Sequence, residues 1–201
     1  MNTQKVLAVG SLLLQYPGDD IVEIAEQIRK GIILLDSDDR ADINEFLNWL
    51  SDSPIIEKQT HYVNLFDRRR RACLYLSYYL NGDTRRRGMA LVRFKELYSA
   101  FGFEVSDEEL PDFLPTALQF AASGDFEVGM QILSEHYSGI DVLHQALVSA
   151  ESPYAHITKV LLRHIPKSEN ADVNTNELIT AGVPTELVGL EPFAIAGRGN
   201  D

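Results

Sequence analysis

Apolar residues recur along residues 3–166 at intervals of three and four, the period of an α-helix with one buried face. Thr3 is placed to cap a first helix over residues 3–15, with Val6, Val9, Leu13 and Leu14 on its stripe. Tyr16-Pro17-Gly18 signals a turn. Asp19 or Asp20 then opens a second helix carrying Ile21, Ile24, Ala25 and Ile28, which Gly31 weakens or ends. A third helix shows Ile43, Phe46, Leu47 and Leu50 on one stripe. Ser53-Pro54 starts a fourth, with Ile55, Ile56 and Tyr62. Asp67 is a candidate cap for a fifth, in which Arg69, Cys73, Leu76 and Leu80 fall at i, i+4, i+7 and i+11.

The fifth helix carries a conflict. Four arginines, 68–71, would fill its first turn and oppose the helix dipole. Arg69 can lay its stem over the core with its head in water. Alternatively it is a buried guanidinium paired with a carboxylate, for which Asp112 and Glu109 are candidates. Residues 81–84, Asn-Gly-Asp-Thr, form a turn and cap. Ala90, Phe94, Leu97 and Phe101 repeat the stripe until Gly102. Ser106 and Glu109 have capping-box spacing, and Asp112, between Pro111 and Pro115, can cap a helix running to Ser123. Asp125 caps a segment through His136, residues 140–150 form another helix, and Ser152-Pro153 starts one that ends before Pro166. Strand-period alternation never persists. The expectation is an all-α, single-domain helical bundle over residues 1–166. Residues 167–201, rich in Asn, Gly, Pro and Thr, are expected to be a mobile tail able to dock locally through the apolar groups at 187–190 and 193–195.

Composition narrows the functional classes. The chain of 201 residues carries 18 Lys and Arg against 30 Asp and Glu, a net charge of −12. Such a surface disfavours nonspecific nucleic-acid or anionic-membrane binding and favours a basic partner. Nine of the 18 bases lie between Arg68 and Lys95, with Asp83 the one acid among them. This basic island reads as solvated faces plus ion pairs, and a nucleic-acid regulator using it is the competing class. Cys73 is the one cysteine, so no internal disulfide forms. No stretch reaches the length of a membrane span and the N-terminal residues lack signal architecture, placing the chain in the cytoplasm with no stable membrane association.

Catalytic and metal motifs are missing: no HExxH, CxxC, Walker loop, GxSxG or GxGxxG occurs. His61, His136, His144, His156 and His164 are scattered, and Cys73 sits among leucines as an inert core thiol. Neither catalytic residues, a metal site nor a cofactor is expected; a metal-dependent helical enzyme would have to assemble its ligands from these scattered residues. Tyr75, Tyr78 and Tyr79 are packing residues or walls of a groove.

Four motifs occur together. They are Tyr62, Leu65, Phe66, Asp67, Arg68 and Arg70; Leu74 and Leu76; Gly82, Arg85, Arg87, Gly88 and Ala90; and Glu109, Leu110, Pro111, Asp112, Leu114, Pro115 and Leu118. This combination resembles the delta-subunit family of respiratory nitrate reductases, the NarJ-type assembly chaperones. These belong with the redox-enzyme maturation chaperones that include those of trimethylamine-oxide and dimethyl-sulfoxide reductases. The resemblance covers about residues 6–125, including the opening LLLQYP, and departs at Gln119, where glutamate is common, and at Ala72 and Cys73. It implies an all-α domain without catalysis. Its partner would be the N-terminal segment of the apo catalytic (alpha) subunit of nitrate reductase, or of another molybdoenzyme. That segment would be held competent for iron–sulfur and molybdenum-cofactor insertion before membrane assembly. The groove is expected to draw on Tyr62, Leu65, Phe66, Asp67, Arg69, Tyr75, Tyr79, Glu109, Pro111, Asp112, Leu114 and Pro115, and to take a basic amphipathic peptide as a helix.

Overall fold

The computed structural model describes residues 2–106 and 109–167. Among them are ten α-helices and no strand, as the periodicity predicts. They are α1 (Asn2–Leu13), α2 (Ile21–Gly31), α3 (Ser37–Asp52), α4 (Ile55–Tyr62), α5 (Leu76–Asn81), α6 (Arg85–Ala100), α7 (Leu114–Ser123), α8 (Phe126–Glu135), α9 (Tyr137–Ser149) and α10 (Tyr154–His164). None is long and apolar enough to cross a membrane. The mobile-tail expectation falls on residues outside the described ones.

One hydrophobic cluster joins the helices, from Val6 on α1 to Ile165 just past α10. α1 packs on α7, α7 on α8, and α10 on α9, α3 and α1. Tyr154 lies at the centre of an aromatic group, its ring 4.8 Å from Phe46 and 5.0 Å from Phe66. At Gly129 the backbones of α7 and α8 approach so closely that an added Cβ would lie 2.4 Å from the Cα of Ala121. α3 and α10 are further tied by ion pairs. Arg163 spans Asp39 and Asp42, both at 2.8 Å, while Lys159 and His156 reach Asp42 and His164 reaches Asp39. His156 and His164, eight residues apart on α10, are both engaged by carboxylates of α3.

Three local expectations are corrected. Thr3 lies inside α1, and its hydroxyl meets Nδ1 of His164 at 3.1 Å rather than capping. No helix begins at Asp67: α4 ends in a π-turn (Val63–Asp67), Arg69 is extended at φ −113°, and only a short 3-10 turn (Arg70–Ala72) intervenes before α5. The arginines that would have opposed a helix dipole thus escape it, and the stripe of residues 69, 73, 76 and 80 is a coincidence of spacing. Asp112 does not cap α7, which starts two residues later at Leu114, and the expected Ser106–Glu109 capping box runs through residues outside the described ones. The Asp125 cap, by contrast, forms as expected, accepting from Val128 N at 2.9 Å.

Candidate functional site

After the 3-10 turn, residues 73–75 run extended beside residues 112–114. Leu76 N donates to Asp112 O at 2.9 Å and Leu114 N to Leu74 O at 2.7 Å, making an isolated antiparallel bridge between Tyr75 and Phe113. Asp112 completes the join. It is wholly buried and accepts from the backbone N (3.1 Å) and hydroxyl (2.5 Å) of Ser77, in the first turn of α5. Its carboxylate therefore caps α5 from a distant part of the chain, where Tyr75, at the N-cap position, makes no side-chain cap of its own. The Tyr79 hydroxyl lies between the carbonyls of Arg71 and Cys73, fixing the turn before it. At the far end of α5, Gly82 takes φ 56°, the left-handed conformation that lets Gly82 N reach Tyr78 O at 2.7 Å.

A cleft of about 520 Å³ opens beside this join. Its walls are Tyr16, Tyr62, Phe66, Leu74, Tyr75, Phe113 and Pro115, with Gln15, Asp67, Ser106, Glu109, Thr116 and Gln119 supplying polar groups. The rings are in mutual contact: Tyr62 is 5.5 Å from Tyr16 and 4.6 Å from Phe66, and Tyr75 is 5.7 Å from Phe113. The Tyr62 hydroxyl donates to Leu14 O at 3.1 Å, anchoring the wall to the end of α1. The Tyr75 hydroxyl donates to Glu109 at 2.7 Å, and burial, with that carboxylate next, pushes its ionisation well above the usual range. The Arg87 guanidinium lies over both Tyr75 and Tyr78, at 5.6 and 5.5 Å, and backs the Tyr75 ring. Among the described lining residues are two carboxylates, Asp67 and Glu109, and no base. A concave aromatic wall with that polarity suits an apolar segment bearing positive charge.

Of the twelve groove residues expected from sequence, Tyr62, Phe66, Asp67, Tyr75, Glu109 and Pro115 line this cleft. Leu65, Tyr79, Asp112 and Leu114 are buried in the core beneath it, and half-buried Pro111 is not part of the lining. Arg69 is corrected: it is exposed and lies over a different hollow, against α9, with Arg70 and Arg71. It pairs with neither Asp112, which is engaged by Ser77, nor Glu109, which is engaged by Tyr75. Sequence reasoning did not place Gln15, Tyr16, Leu74, Ser106, Phe113, Thr116 and Gln119 in the site. Tyr16 carried a signal, since it belongs to the LLLQYP opening; Phe113 and Thr116 sit at helical spacing with Gln119 across the start of α7. Among the described residues, no group of three or more His, Cys, Asp or Glu is arranged to hold a metal ion.

The pattern of a family described as "Nitrate reductase delta subunit" matches residues 34–158. The chain belongs to that family. Membership in the delta-subunit family extends farther toward the C-terminus than the motifs themselves, through α8, α9 and into α10. NarX, a nitrate reductase-like protein of Mycobacterium tuberculosis, is 35% identical over 153 residues, 76% of this chain but only 23% of that protein. The nitrate reductase molybdenum cofactor assembly chaperone NarJ of Escherichia coli is 29% identical over 160 residues, 78% of this chain and 68% of its own length. The fold is shared with a "Putative Redox Enzyme Maturation Protein" from Archaeoglobus fulgidus, at a TM-score of 0.60 and 22% identity over 80% of this chain and 91% of that one.

Proposed function

We propose that this chain is a cytoplasmic assembly chaperone that binds the N-terminal segment of the apo catalytic subunit of a nitrate reductase. It holds that subunit competent for molybdenum-cofactor and iron–sulfur insertion before membrane assembly. The observation that carries this reading is the cleft: the motif residues Tyr62 and Phe66, with Tyr16 of the LLLQYP opening, form part of its aromatic wall, and its described lining pairs that wall with carboxylates and no base. An amphipathic basic peptide buries its apolar face there, which supplies most of the affinity, while charge governs encounter and selectivity. The chaperone itself needs no cofactor for this task. The role as an assembly chaperone agrees with what the NarJ of Escherichia coli is named for.

Titration calorimetry with a client peptide of about 15 residues, roughly four helical turns, tests it. Binding should show a negative heat-capacity change and weaken only partly with added salt. Tyr16→Ala, on an exposed wall residue, should weaken binding roughly tenfold with the fold intact. No heat, together with no competition by the full catalytic subunit, would remove the assignment. Binding abolished by moderate salt would show that surface charge, not the cleft, holds the peptide.

A further inference from the structure

A second hollow of about 510 Å³ lies between α6 and the C-terminal end of α8. Its character is the reverse of the first. Leu80, Phe94, Leu97 and Ile132 give it an apolar floor, and Arg86 and Arg93 stand on its rim. Glu135, held by Gln131 at 2.9 Å, is its one carboxylate among the described lining residues. Met89 is 59% exposed at its edge and Val92, on the same helix, 56%. Side chains of that size so exposed on one helix fit an apolar, acidic occupant.

Residues 168–201 have that composition. They hold six acids and one base, Arg198, and two apolar groups, 187–190 and 193–195, interleaved with Glu186 and Glu191. The described chain ends beside α8, where Ser134 donates to Pro166 O at 2.8 Å. The 19 residues from Lys167 to Glu186 can span up to about 60 Å, so reach sets no limit. Arg86 and Arg93 are two turns apart, about 10.5 Å along α6. Five residues from Glu186 to Glu191 extend to at most about 17 Å, so both pairs can form together. The first cleft would reject the same segment, because Asp67 and Glu109 repel its acids.

We propose that residues 186–195 of this same chain occupy the α6–α8 hollow, their apolar groups covering Met89 and Phe94 and their two glutamates meeting Arg86 and Arg93. The hollow is thus an intramolecular docking site, separate from the aromatic cleft and opposite to it in charge.

Disulfide trapping in the full chain tests this. Met89→Cys with Gly189→Cys should form an intramolecular disulfide under mild oxidant at least about tenfold faster than Gln119→Cys with Gly189→Cys, which probes the aromatic cleft by effective concentration. Arg86→Glu with Arg93→Glu should slow the trapping about fivefold, the effect of two exposed ion pairs. Adding Glu186→Lys and Glu191→Lys to that variant should restore it. Equal trapping at both positions, trapping only between molecules, or charge reversal without slowing and rescue would each overturn the proposal.

Discussion

Asp112 offers the sharpest test of how the site is built. It is fully buried and holds the amide and hydroxyl of Ser77, itself buried, while its other oxygen, Oδ1, has no hydrogen-bond partner among the described residues. Asp112→Ala removes a helix cap, worth about 1 kcal/mol, and strands a buried hydroxyl and amide at about 1–3 kcal/mol. The sum is a loss of about 3 kcal/mol. Asp112→Asn keeps an acceptor of the same shape toward Ser77 but sets an amide nitrogen where Oδ1 has no partner, so it should cost less than the alanine change, about 1–2 kcal/mol. Urea unfolding at pH 7, with stability extrapolated linearly and the slope unchanged, gives both numbers. Because Leu74, Tyr75 and Phe113 line the cleft from this join, the alanine variant should also weaken client-peptide binding. A loss below about 1 kcal/mol for alanine would refute the trans-capping argument. So would an asparagine variant as damaged as the alanine one, since it keeps the acceptor that holds Ser77.

Arg69→Ala should change stability by no more than about 0.5 kcal/mol in the same assay, since the side chain is exposed and joins neither acid of the 109–112 turn. Burial pushes the Cys73 thiol up to about 11, against the opposing influence of the Tyr75 amide and Arg87. At pH 8 roughly one thiol in a thousand is then ionised, and its reaction with an aromatic disulfide reagent should be at least ~100-fold slower than that of a free cysteine. Asp42 is desolvated, yet its hydrogen bonds to Arg163, Lys159 and His156 prevail and hold its carboxyl below the usual range. A carboxyl lowered by folding stabilises above its unfolded value near pH 4 and loses that contribution as pH falls through the folded value. The stability gap between the natural chain and Asp42→Asn should therefore be widest at neutral pH and close below about pH 4.

The helical architecture was legible because each long helix owns an apolar stripe and a stop. Asp125, Ser152-Pro153 and Gly102 all mark boundaries close to those observed. What misled was the region between α4 and α7. There the spacing of Arg69, Cys73, Leu76 and Leu80 mimics a helix, whereas the backbone is committed to pairing with residues 112–114. No local pattern announces a bridge between residues 38 positions apart, nor that Asp112 caps α5 and not α7. The four arginines against a helix dipole were the visible warning. For the cleft, the motif residues located its walls but did not separate those that face the solvent from those beneath. Leu65, Tyr79, Asp112 and Leu114 have the same chemistry as lining residues, and burial alone tells them apart.

The bridge between Tyr75 and Phe113 has a consequence for how the molecule opens. Its two hydrogen bonds form the neck of an excursion that holds α5 and α6. α6 has α5 as its principal neighbour and buries only Phe94 and Tyr98 of its own residues. Amide protons of residues 76–100 should thus exchange through one shared sub-global opening, at a free energy below that of complete unfolding, while α1, α7 and α10 stay closed. Since the cleft sits at the neck, a bound peptide should slow that exchange in α5 and α6 without touching most of their residues.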